Sequence, residues 1–183
     1  AYGAEELTPR TVVSPIPSGV LESSVSEEVV KNAKKRGGSL QSVTRYVEGK
    51  KAKPVKLMPH GFIENKLIYV DRGFLFSRIP DDLRGADLVM TYNNDKKLDR
   101  ADTRYEVSLK HPSTLLVLVD TRIEQEVPWL RKGPLKFIKT LETVQTDSDY
   151  GFRVYKVDLA PGSYSLGPQT GGSFYSIAVL KRQ

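Results

Sequence analysis

Beyond Pro54 the chain is a series of short apolar bursts set apart by Gly, Pro, Asn and Asp. They run Leu67 to Val70, Phe74 to Ile79, Leu88 to Tyr92, Tyr105 to Leu109, Leu115 to Val119, Leu135 to Leu141, Phe152 to Leu159, Tyr164 to Leu166 and Phe174 to Leu180. Bursts this short do not build helical faces, and some alternate in period two, as Phe74, Phe76 and Arg78 do with Leu75, Ser77 and Ile79. Strand signals recurring at about ten residues mark an antiparallel sandwich or barrel. The run Thr114-Leu-Leu-Val-Leu-Val119 is apolar on both faces and predicts a central strand. The fold class is therefore all-β: an antiparallel, jelly-roll-like β-sandwich over residues 56–183.

The first 55 residues read differently. Pro9, Pro15 and Pro17, interleaved with serines, predict an extended arm, because proline fixes its own φ and disfavours helix before it. A short helix follows at about 24–36. Ser24 and Glu27 have capping-box spacing, Lys34, Lys35 and Arg36 suit the negative end of the dipole, and Gly37-Gly38 stops it. From Lys31 to Lys56 there are nine Lys and Arg against one acid, Glu48, so this segment holds more than the whole formal charge of +6. That excess favours an acidic partner, either an acidic polysaccharide or an acidic protein. Nucleic acid is disfavoured, since Tyr46 is the only aromatic interleaved with the charge. With no cysteine the chain has neither disulfides nor thiolate chemistry. It holds no apolar run of the roughly 20 residues that a membrane helix requires. Its first residues, Ala1 to Glu6, lack a signal-peptide pattern, which fits a cytosolic or an already processed form.

Catalytic constellations are thin. There is no G-x-S-x-G elbow, His60 and His111 each sit beside a proline at expected loop ends, and the acid pairs Asp81–Asp82 and Glu124–Glu126 suit turns as well as chemistry. A non-enzymatic role is expected, with no cofactor. Among metals only calcium is a candidate, because Asp95, Asp99 and Asp102 offer hard oxygens within one loop, although the EF-hand order is absent. The Gly167–Ser173 segment predicts a hairpin connection. For ligand contact the candidates are Trp129, Tyr92 and Tyr105 as aromatic surfaces, with Arg122, Arg72 and Lys96 for carboxylate or sulfate.

The order of short motifs resembles a known pattern. Tyr69-Val-Asp-Arg72, Phe74 to Phe76, Ile79-Pro-Asp-Asp-Leu-Arg-Gly-Ala86, Thr91 with Asn94-Asp-Lys96, Val117-Leu-Val-Asp-Thr-Arg122, Pro128-Trp-Leu130, and Tyr155 through Pro161-Gly162 to Leu166-Gly167 and Tyr175 are similar to the β-sandwich accessory modules of large secreted bacterial proteins, many of them polysaccharide lyases or glycoside hydrolases. The resemblance spans residues 66–181. It implies a non-catalytic, secreted or periplasmic module that binds carbohydrate or docks within a larger assembly. Where that pattern runs Leu-Gly-Gly-Asn, this chain has Leu166-Gly-Pro-Gln169. The expected function is thus an extracytoplasmic binding module for an acidic glycan or acidic protein. A structural or assembly subunit is the alternative, and a small carbohydrate-active enzyme the third reading.

Overall fold

The computed structural model describes residue 31, residues 34–97 and residues 102–183. Most of the expected arm and helix, and Asp99, lie outside the described residues; Lys34 to Arg36 are helical.

In chain order the strands are β1 (Leu40–Val47), β2 (Lys50–Lys51), β3 (Lys56–Met58), β4 (Phe76–Arg78), β5 (Asp87–Met90), β6 (Arg104–Leu109), β7 (Ser113–Asp120), β8 (Ile138–Thr146), β9 (Gly151–Leu159), β10 (Gly162–Leu166) and β11 (Ser176–Lys181). They form a seven-stranded sheet, β3-β5-β11-β7-β9-β8-β4, and a four-stranded sheet, β10-β6-β1-β2, with every strand pair antiparallel. The all-β sandwich expected from the apolar spacing is the fold.

Strand β7 lies at the centre of the large sheet and is buried along its whole length. That burial is the reason its sequence is apolar on both faces. Other strands alternate: in β6, Tyr105, Val107 and Leu109 face the core while Arg104 is exposed. The core adds a chain of ring contacts, Phe62 to Phe76 at 5.2 Å and Tyr150 to Phe152 at 5.6 Å among them.

Three details depart from expectation. The Leu67–Val70 burst is not a ladder strand; it makes single bridges from Leu67 to Leu75 and from Tyr69 to Thr91, and Ile68 and Tyr69 are apolar because they fill the core. Residues 40–51, assigned to the arm by their charge, supply β1 and β2 of the smaller sheet. Their lysines, Lys50 and Lys51, occupy a two-residue edge strand, where charge discourages edge-to-edge pairing. The Gly167–Ser173 segment is not a hairpin, since it carries the chain from β10 in one sheet to β11 in the other. Its Gly171 and Gly172 adopt φ of 82° and 57°, which only glycine enters readily.

Polar latches join the two sheets at depth. The buried Asp87 carboxylate accepts from the backbone N–H groups of Gly38, Ser39, Leu40 and His60, pinning the start of β1 against β5. A side chain at Gly37 would collide with His60 and Asp87. Elsewhere Glu64 holds the 79–85 turn, accepting from Arg84 at 2.7 and 2.9 Å and from the Ile79 amide at 3.0 Å.

Candidate functional site: a groove at one end of the sandwich

One end of the sandwich gathers the Asp71-Arg72 turn, the 3-10 turn Asn93–Lys96 after β5, residues 121–128 after β7, and the 167–173 crossover. Short Asp and Asn side chains weld these loops together. Asp71 accepts from the Asn93 and Asn94 amides at 2.7 and 3.0 Å, capping the 3-10 turn, and the Arg72 guanidinium donates to Asn94 Oδ1 at 2.7 Å. Asn93, buried, accepts from the Phe174 amide at 2.7 Å, and the Gly171 amide donates to the Lys96 carbonyl at 3.1 Å. Asp120, at the end of β7, accepts from the Ser173 amide, the Arg122 amide and the Arg122 guanidinium at 2.7 to 3.2 Å. Burial pushes the Asp120 carboxyl up, but those donors outweigh it and hold the group below the usual carboxylate range.

Between the 122–128 and 168–172 segments lies an open groove of about 640 Å³. One wall is stiffened by Gln169, whose buried amide nitrogen donates to the Gly171 and Ser173 carbonyls at 2.9 and 2.8 Å. Trp129 anchors that wall from behind. Its Nε1 donates to the Pro168 carbonyl at 2.8 Å and its ring meets Phe137 and Tyr175 edge-on. The Arg122 guanidinium, half-exposed, stacks 4.4 Å over Tyr150, and its Nη1 stands 4.0 Å from exposed Asp149.

Charges of both signs meet at this end: Arg72, Lys96 and Arg122 stand among Asp71, Asp120 and Asp149, and Glu124 and Glu126 line the groove itself. The Lys96 ammonium is lowered below its ordinary range, first by partial burial and then by the charges of Arg72 and Arg122; Asp120 and Asp71 only partly compensate.

The expected ligand residues therefore separate. Arg72, Lys96 and Arg122 converge on this end. Trp129 lies behind the groove wall as a packing anchor. Tyr105 is wholly buried and donates to Asp95 at 2.6 Å, so it belongs to the core. Tyr92 is half-buried beneath the Arg45 guanidinium at 3.9 Å, its hydroxyl donating to the Pro54 carbonyl. The calcium set does not assemble among the described residues: Asp95 is buried and grips Arg45 at 2.7 and 2.8 Å, while Asp102 is exposed. No group of three or more His, Asp or Glu able to hold a metal occurs among the described residues. The sequence reading missed Gln169 and Tyr150, since an isolated Gln or Tyr in a loop carries no signal until the fold gives it neighbours.

No family model matches the chain, and no curated protein does. Solved structures do. A β-glucuronidase from glycoside hydrolase family 2 superposes with a TM-score of 0.61 at 17% identity, covering 76% of this chain and 14% of that one. A GH138 enzyme targeting pectin rhamnogalacturonan II superposes with a TM-score of 0.55 at 12% identity, covering 87% and 19%. The chain thus spans less than a fifth of the length of either, and it shares its fold with domains of carbohydrate-active enzymes. No helix among the described residues is long and apolar enough to cross a membrane.

Proposed function

We propose that this chain is a non-catalytic, secreted or periplasmic binding module whose groove takes an acidic glycan. The observation that carries the reading is the convergence of Arg72, Lys96 and Arg122 on hydrogen-bonded turns beside the groove of about 640 Å³. Arginines held flat by Asn94, Asp120 and Tyr150 are preorganised for charge-assisted contacts to carboxylate or sulfate, and Lys96 adds a point charge. The non-catalytic assignment is supported by Glu126, a groove carboxylate engaged by Tyr155 at 2.7 Å and by Arg131 at 2.8 Å. The structural neighbours, a β-glucuronidase and an enzyme targeting pectin rhamnogalacturonan II, agree with an acidic sugar. Calorimetric titration with oligogalacturonate and with heparin oligosaccharide, at low and at moderate ionic strength, tests it. Binding that weakens with salt is expected; no binding to either at low salt sinks it.

A docking subunit is the second reading. It is favoured by Ile138 and Leu141 on β8, 65% and 93% exposed. Pull-down of a protein partner that is lost on Leu141→Ser would support it.

A further inference from the structure

The outer face of the small sheet carries two further cations, Lys51 and Arg104. By strand register Lys51 on β2, Tyr46 on β1 and Arg104 on β6 form one cross-strand row. The next residues inward, Arg45, Tyr105 and Leu166, are paired in the same way and are buried, so the Tyr46 row faces outward. Arg104 stacks on the Tyr46 ring with its guanidinium carbon 4.0 Å from the centroid. The other arginines at this end spend part of their fork inside the protein, Arg45 on Asp95, Arg72 on Asn94 and Arg122 on Asp120. Arg104 makes no side-chain hydrogen bond among the described residues and is exposed. Its planar fork is oriented by the ring and keeps its donors for something outside the protein. Lys51 and Arg104 flank the tyrosine two strands apart, about 10 Å, so the row presents two spaced cations.

This row adjoins the groove. Tyr105 pairs with Leu166, which places Arg104 level with Gly167, the residue before the Pro168–Gly172 wall. The wall in turn touches Lys96 through the Gly171 amide.

We infer that the Lys51–Tyr46–Arg104 row is a second anion subsite that extends the groove, so the ligand is a polyanionic chain with acidic groups on several sugars, not a single acidic sugar. This rests on the glycan reading of the groove. Two subsites joined by one chain raise affinity through effective concentration, without new contacts at either.

The test titrates digalacturonate and octagalacturonate, and the heparin disaccharide and octasaccharide, into the full chain and two variants. For the wild type the octamer of at least one series binds at least about tenfold tighter than its dimer. Lys51→Gln/Arg104→Gln, both surface changes, should bring that octamer down to dimer affinity and leave the dimer unchanged, while Lys96→Ala weakens both lengths alike. Equal affinity of dimer and octamer, or an octamer advantage that survives Lys51→Gln/Arg104→Gln, overturns the inference and leaves the groove standing. Binding indifferent to Lys96→Ala, or no binding by the wild type, overturns the groove reading and the inference with it. Unchanged thermal unfolding of the variants certifies that the fold is intact.

Discussion

Arg45 and Asp95, 50 residues apart, form a two-pronged ion pair inside the protein: Nε and Nη2 donate to the two carboxylate oxygens at 2.8 and 2.7 Å, with the side chains 6% and 0% exposed. Tyr105 donates to the same carboxylate and Tyr92 lies against the guanidinium. The pair ties β1 to the 3-10 turn that carries Lys96. Removing one member leaves the other charge buried, so Arg45→Met should cost about 3–5 kcal/mol in denaturant unfolding. The double variant Arg45→Met/Asp95→Leu should recover much of it. A single variant that unfolds within about 1 kcal/mol of wild type would show that water reaches the pair.

Asp87 makes a parallel prediction for the other end of β1. Asp87→Asn turns one carboxylate oxygen into a donor facing backbone N–H groups that are themselves donors. A loss of about 2–4 kcal/mol follows from amides left without an acceptor. Hydrogen exchange localises it: the amides of residues 38–40 and 60 should exchange faster, and protection unchanged there contradicts the latch.

Two carboxyls give opposite pH dependences. Glu64 is held down to about 2, foremost by its hydrogen bonds from Arg84, against an ordinary 4.5. Its contribution is therefore present above pH 4.5 and is lost as pH falls toward 2. Glu142 is pushed up to about 7, by burial first and then by Asp82. Its native state holds the proton more tightly, so stability is full below pH 4.5 and declines as pH rises through 7. Unfolding midpoints measured across pH should show Glu64→Gln flattening the acid limb and Glu142→Gln flattening the decline toward neutrality. Wild-type slopes in both variants would dismiss the assignments.

How much of this the sequence discloses depends on the range over which each signal acts. The apolar spacing disclosed the sandwich, and Thr114 to Val119 its central strand, because burial on two faces leaves a mark in consecutive residues. The charge of residues 31–56 concealed β1, whose Arg45 is a buried ion-pair partner that composition cannot tell from a solvated one. Arg72, Lys96 and Arg122 were legible as candidates by residue type, but their convergence depends on loops that meet only in three dimensions. Tyr105 was misplaced for the converse reason: a tyrosine beside an acidic loop looks exposed until strand alternation turns it inward.

The groove wall supplies the sharpest local prediction. A methyl on Gly167 would stand 2.7 Å from Trp129 Cδ1 and 2.9 Å from Nε1, closer than such atoms approach. The indole cannot retreat, being set between Phe137 and Tyr175 and tied to the Pro168 carbonyl. Gly167→Ala should therefore cost about 1–3 kcal/mol through overpacking, displace the ring and loosen the Pro168–Gly172 wall. Because Trp129 is the sole tryptophan, its emission reports the change directly: a red shift is expected in Gly167→Ala, together with weaker glycan binding. Trp129→Phe keeps a ring in the slot but removes the Nε1 bond and part of the indole packed on Phe137 and Tyr175, so it should cost about 1–3 kcal/mol. Emission and stability both unchanged in Gly167→Ala would mean that the wall moves without Trp129, and the anchoring role assigned to the indole would fall.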